Sequence, residues 1–176
     1  DILQIPDSYR KQKKHSKNTC SNAPTAVLCA RLHEITHEKK YLDQAIEIYN
    51  WTKQNLLDPS DNVYWDNVNL DGRISKQKYT YNTGQMIEAA VRLYKITKKK
   101  NYLQDAQRSA EGAYHFFVKE QETSDGKMLF YPDSPWFNVI LLRGLNELYS
   151  IDRNDVFIKT LKENAYYAFH HTLDEN

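Results

Sequence analysis

Residues 79–90, "YTYNTGQMIEAA", bring Tyr79, Tyr81, Asn82 and Gln85 close together at the start of an apolar run. Aromatic faces beside planar amides suit a polyhydroxylated ligand, whose rings stack on the first while its hydroxyls bond to the second. The same residues have a plainer use. Asn82 with Gln85 three residues later fits a capping box that starts a helix. Matching polar sets occur at 19–25, "TCSNAPT", and 132–138, "PDSPWFN". There Asn22 and Ser134 stand ahead of prolines suited to a first helical turn and are expected as caps. Capping and binding are compatible, because a helix N-terminus presents N–H donors to whatever faces it.

Tyr64, Trp65, Tyr79, Tyr81, Tyr131 and Trp136 gather near these segments. Core packing accounts for any one of them, but the clustering points to a binding surface. Cleavage of a glycosidic bond needs two carboxylates flanking it. Asp66, Asp71, Asp133 and Glu88 are the nearest candidates, and no two make a convincing pair. Asp66 and Asp71 fit a solvated loop, and Glu88, four residues before Arg92, fits a helical ion pair. The histidines, at 15, 33, 37, 115, 170 and 171, suggest no base–nucleophile constellation. There is no phosphate loop, dinucleotide fingerprint or zinc motif, so no cofactor or metal is expected. Cys20 and Cys29 lack metal spacing. Cys29 is expected to be buried, and a Cys20–Cys29 disulfide has no positive support.

The elements that must position these residues repeat along the chain. "LHEITHEKKYLDQAIEIY" (32–49) and "LYKITKKKNYLQDAQRSA" (93–110) align at an offset of 61, and a looser third copy, "LYSIDRNDVFIKTLKENA" (148–165), follows at 55. Each copy reads as a helix, a polar turn and a second helix. The first helix of a pair carries a wide apolar stripe and is expected inside; the second is one-sided and belongs outside. The spacing predicts hairpins at 19–57, 81–120 and 135–171, with 1–18, 58–80 and 121–134 as connectors. The connectors carry the β-prone pieces "VYWD" and "MLFYPD" and should emerge at one end of the assembly. Inner and outer helices alternating about a centre describe an all-α fold, an α/α toroid. A tetratricopeptide-like solenoid, with its period of about 34, fits the offsets poorly.

Composition agrees. In 176 residues, Tyr is 13 while Gly and Pro are 5 each, which favours helices over a sandwich or barrel. Lys+Arg 24 against Asp+Glu 23 leaves no field that would favour nucleic acid. The basic run at 10–17, "RKQKKHSK", reads as a solvated loop. No window approaches the roughly 20 apolar residues of a membrane span. The sequence opens at Asp1 without a starting Met or a leader pattern, and encodes no compartment.

The segment "TYNTGQMIEAAVRLYKITKKKNYLQDAQRSAEGAYHFF" resembles glycoside hydrolase family 76, the endo-α-1,6-mannanases, in its "TYN-x-G", "LY-x-x-T" and "YL-x-x-A" pieces. "SNAP" at 21–24 and "NVYWDNV" at 62–68 are similar to the pieces that precede them, and the match runs from about Asn18 to Leu148. The resemblance implies an (α/α)6 toroid of six hairpins, of which about three are present, so the chain is expected to be the C-terminal half. It implies hydrolysis of α-1,6-mannosidic linkages with retention, an α-mannan polysaccharide or oligosaccharide as partner, and an extracellular or periplasmic setting. Asn22, Trp65, Asp66, Tyr81, Asn82 and Gln85 would form part of the subsite wall. The family's catalytic pair is two adjacent aspartates on an earlier inner helix. No two aspartates are adjacent here, so the catalytic residues have no assignment, the chain alone is expected to be inactive, and the missing N-terminal half is an expected partner. The alternatives are a non-catalytic glycan-binding or scaffold module, or another α/α-toroid sugar enzyme.

Overall fold

A computed structural model describes residues 16–131 and 134–171. Six helices carry the fold: α1 (Thr19–Thr36), α2 (Lys39–Leu56), α3 (Thr80–Thr97), α4 (Lys100–Phe117), α5 (Pro135–Asp152) and α6 (Val156–His171). They form three antiparallel hairpins, with α1, α3 and α5 side by side as the inner layer and α3 in the middle. Cross-helix ion pairs ascend together, Arg31 with Glu88 and then Glu34 with Arg92, so the inner helices run parallel.

Burial follows the apolar pattern. The wide stripe of α3 puts Met86, Ile87, Ala89, Ala90, Val91 and Leu93 in the core, whereas α4 buries one face through Tyr102, Ala106, Ala110, Ala113 and Phe117. Each inner helix stops at a left-handed residue, His37, Lys98 or Arg153, with φ of 58°, 59° and 60°. The N–H of each cap returns to the carbonyl of His33, Tyr94 or Tyr149. These caps recur at the repeat offsets, and none is glycine.

The connectors hold more β structure than the two short pieces expected. β1 (Ser16–Asn18), β2 (Trp65–Asn69) and β3 (Ile74–Lys78) make an antiparallel sheet in that order, and β4 (Lys119–Thr123) pairs with β5 (Gly126–Phe130). Gly72 and Gly126, at φ +82° and +99°, make the two turns that close these hairpins. Ser124 and Asp125 in the second turn reach His171, which ties that turn to the end of α6. This contact joins a serine, a histidine and an aspartate that no sequence motif groups. Ser124 Oγ also bonds to its neighbour Asp125, and the site is exposed.

Two close approaches fix α3 against α5 and α4 against the connector between α2 and α3. A Cβ on Gly84 would lie 2.4 Å from Leu141 Cα, and one on Gly144 would lie 2.1 Å from the Gly84 carbonyl oxygen. At Gly112 the same test meets the Asp61 carbonyl oxygen at 1.9 Å. Polar clusters complete the frame. Asp105, buried between α2 and α4, accepts from Tyr49, Lys53 and Arg108. Lys78, at the end of β3, holds Asp58 at 2.7 Å and Asp61 at 2.6 Å. Arg92 bonds Glu88 on its own helix, Glu34 on α1 and Glu147 on α5. The expected Glu88–Arg92 helical ion pair is present, inside a wider network that also takes Arg31 and Lys95.

The flanks of the inner layer carry exposed apolar side chains: Leu28 and Ile35 on α1, Trp136 and Val139 on α5. Cys20 and Cys29 form no disulfide with each other; Cys29 is buried, and burial pushes its thiol up. Among the described residues no helix is long and apolar enough to cross a membrane.

Candidate functional site

The N-terminal ends of α1, α3 and α5 converge where the connectors emerge. None of the three has an acidic residue in its first turn, so their partial positive charge is not offset within the helix. Asn82 is fully buried, and its amide donates to Asp66 Oδ1 at 3.3 Å. The Asn67 amide donates to the other oxygen of Asp66 at 2.8 Å. Asp66 thus stands on β2 with both oxygens engaged, directed at the start of α3.

Three amide atoms in this region are buried without a partner among the described residues: Asn22 Nδ2, Asn82 Oδ1 and Gln85 Oε1. A buried donor or acceptor left unpaired costs about 1–3 kcal/mol, so native structures keep few of them without a use. One donor and two acceptors gathered at the mouths of neighbouring helices can meet a ligand that both gives and takes hydrogen bonds, as a sugar hydroxyl does.

The capping reading holds for the position of Ser134, the N-cap of α5 with Pro135 after it, and fails for Asn82 and Asn22. α3 starts at Thr80 with Tyr79 as its N-cap, and α1 starts at Thr19 with Asn18, so Asn82 and Asn22 lie inside their helices. None of Asn18, Tyr79 and Ser134 makes a side-chain capping bond to its helix; the Asn18 and Tyr79 side chains bond instead to Ser16 and Gln77. Asn82 is engaged by Asp66, sixteen residues upstream, instead of by its own helix start.

The aromatic set divides. Tyr79 and Tyr81 stack at 5.3 Å, and Phe137 meets Tyr81 edge-on at 4.5 Å, which makes a patch across the starts of α3 and α5. Trp136 beside it is 81% exposed. Tyr64 and Tyr131, expected at a binding surface, are core residues, and burial pushes both phenols well above their ordinary range. Trp65 leaves the group for a different reason. Side chains alternate along a strand, so Asp66 points to Asn82 while the Trp65 indole lies over the end of α2 with Asn50, Lys53, Gln54, Asn55 and Leu57. Asp71 pairs with Arg73 at an exposed turn. Asp133, Pro132, His15 and the basic residues 10–15 lie outside the described residues.

Sequence reasoning missed three contributors. The Thr19 hydroxyl bonds to the Trp65 carbonyl, Thr83 accepts from the Tyr64 N–H, and Phe137 completes the aromatic patch. Thr19 and Thr80 open α1 and α3 at the repeat offset, a signal that was available. Among the described residues no group of His, Cys, Asp and Glu could hold a metal ion.

Parallel inner helices, outer partners and polar starts at one end define this chain as part of an α/α toroid. It belongs to glycosyl hydrolase family 76, whose profile matches residues 4–175. A family 76 glycoside hydrolase from a bovine Bacteroides thetaiotaomicron strain superposes with a TM-score of 0.84 at 39% identity, over 91% of this chain and 36% of that one. The α-1,6-mannanase of Salegentibacter sp. HEL1_6, as an inactive variant altered at two consecutive aspartates and bound to α-1,6-mannotetrose, superposes with a TM-score of 0.76 at 31% identity, over 91% of this chain and 50% of that one. Among curated sequences, a mannan endo-1,6-alpha-mannosidase of Candida glabrata is 31% identical over 86 residues, 46% of this chain and 19% of its own length. The chain therefore spans half or less of the length of each of these relatives.

Proposed function

We propose that this chain forms one side of an α-1,6-mannan-binding cleft, and that the catalytic carboxylates of the complete site are supplied by hairpins other than these three. The observation that carries the reading is the trio of buried amide atoms without a partner among the described residues, on Asn22, Asn82 and Gln85 in the first turns of the neighbouring inner helices α1 and α3. Asp66, braced by Asn67 and Asn82, offers the carboxylate for sugar hydroxyls, and Tyr81 the aromatic face. The relative bound to α-1,6-mannotetrose supports the ligand class. Its inactivation at consecutive aspartates supports the assignment of acid and nucleophile to such a pair, and these 176 residues contain none. The exposed flanks of α1 and α5 are where further hairpins would continue the ring.

Calorimetric titration with α-1,6-mannotetraose tests this. Binding that weakens at least tenfold in Asn82→Ala is expected, without release of reducing ends from α-1,6-mannan. Absence of binding, or binding indifferent to Asn82, refutes the cleft. Turnover by the chain alone that disappears in Asp66→Asn refutes the placement of the carboxylates elsewhere. The lack of adjacent aspartates also favours a second reading, a glycan-binding module without hydrolysis. Failure of the protein as produced in its source to cut α-1,6-mannan, with binding retained, selects that one.

A further inference from the structure

The Trp65 indole, separated from the cleft by strand alternation, lines a groove of about 520 Å³ between the end of α2 and the β2–β3 hairpin. That volume lies within the range of small-molecule sites. Asn50 and Gln54 stand four residues apart on α2, on one helical row, and their amides make no hydrogen bond to any described residue. Asn55 gives its amide N–H to the Trp51 carbonyl and keeps its oxygen for another donor. Pro59 and Ile74 add apolar wall, and the Lys76 ammonium sits 5.4 Å from the indole centroid. Lys53 is turned inward to Asp105, so the groove itself carries little charge.

We propose that this groove is a second, non-catalytic subsite for a neutral oligosaccharide, with Trp65 as the stacking platform and Asn50, Gln54 and the Asn55 oxygen as the hydroxyl partners. An aromatic ring with amides and no unpaired carboxylate suits an uncharged glycan. Lys76 covers the ring as a cation over a π face, and an entering sugar displaces it. Trp65 is adjacent in sequence to Asp66, and the Thr19 hydroxyl holds the carbonyl between them, so groove and cleft share one rigid strand. A mannan chain or branch lying over the end of α2 would be held beside the cleft, not in it. This rests on the α-mannan reading above, and the test separates the two.

The chain has three tryptophans, Trp51, Trp65 and Trp136, whose indole N–H signals can be followed by NMR during titration with α-1,6-mannotriose. The Trp65 signal is expected to move saturably, and to keep moving in Asn82→Ala, where the cleft response is lost. Gln54→Ala combined with Asn50→Ala, both on the surface, is expected to weaken the affinity read at Trp65 at least fivefold and to leave the cleft response unchanged. A stationary Trp65 signal while cleft resonances shift overturns the groove and leaves the cleft reading intact. A Trp65 shift abolished by Asn82→Ala also overturns it, because both signals would then report one site. A chain in which nothing shifts loses both readings.

Discussion

Replacing Gly84 with alanine opposes two effects of known sign. Intrinsic helix propensity favours the change by about 1 kcal/mol. Packing opposes it. The new methyl would stand 2.4 Å from Leu141 Cα, 2.8 Å from Leu141 N and 2.9 Å from the Ile140 carbonyl oxygen. All three obstacles are backbone, so no side chain can rotate away. Ordinary contact begins near 3.4 Å, and α3 and α5 must separate by about 1 Å to reach it. Overpacking of this kind costs roughly 1–3 kcal/mol, with rigid backbone obstacles at or beyond the upper end. Net destabilisation of about 2 kcal/mol is expected, and for a domain of this size it lowers the melting temperature by about 4–8 °C. Thermal unfolding followed by circular dichroism measures it. Gly144→Ala, whose methyl would meet the Gly84 carbonyl oxygen at 2.1 Å, should behave alike. A Gly84→Ala protein melting at or above the wild-type temperature refutes the reasoning, since that is the sign propensity alone gives.

Lys78→Met leaves Asp58 and Asp61 without their shared cation. Breaking a fully buried pair costs about 3–5 kcal/mol, and the partial exposure of these carboxylates reduces the expected loss to about 2 kcal/mol in urea denaturation; a change under about 0.5 kcal/mol contradicts the buried-pair picture. Acid should unfold the chain through Asp58 and Glu147. Burial pushes both carboxyls up, but the Lys78 and Ser60 hydrogen bonds outweigh it at Asp58, as do Lys95 and Arg92 at Glu147, so both end below their ordinary values. Their stabilisation is full above the unfolded carboxylate values of about 4 and is lost as pH falls through the lower folded values; an unchanged melting temperature from about pH 5 to about pH 2 counts against it. Arg92→Met strips Glu34 of its inner-helix partner and leaves Glu147 to Lys95 and Glu88 to Arg31, and about 2–3 kcal/mol of lost stability is expected in the same denaturation assay. Stability equal to wild type would show that the network is dispensable.

The toroid architecture was legible because helical periodicity and the repeat are written in local residue types. Leu32, Leu93 and Leu148 mark equivalent places, and the wide stripe of α3 announced its central position. What escaped depends on partners distant in sequence. Asn82 and Gln85 match a capping box, yet Asp66 on a separate strand engages Asn82, and no local pattern reports that contact. Tyr64 and Tyr131 are the same residue type as Tyr79 and Tyr81; the packing of each connector, not its composition, decides which are buried. Trp65 and Asp66 look like one unit in the sequence. The pleat of β2 sends them to different surfaces.

The repeat offsets differ, 61 residues between the starts of α1 and α3 and 55 between those of α3 and α5. Yet α1 through α4 have 18 residues each, and both helix-to-helix turns are the same two residues long. All of the difference therefore falls in the connectors, 57–79 and 118–134. The ring is built to a fixed gauge, and the loops at its mouth are free to lengthen. Insertions there alter what the mouth can read without rotating a single buried side chain, whereas one residue added within a helix would turn everything beyond it by about 100°. Change in ligand preference can thus accumulate in one part of this chain while the other keeps its measure.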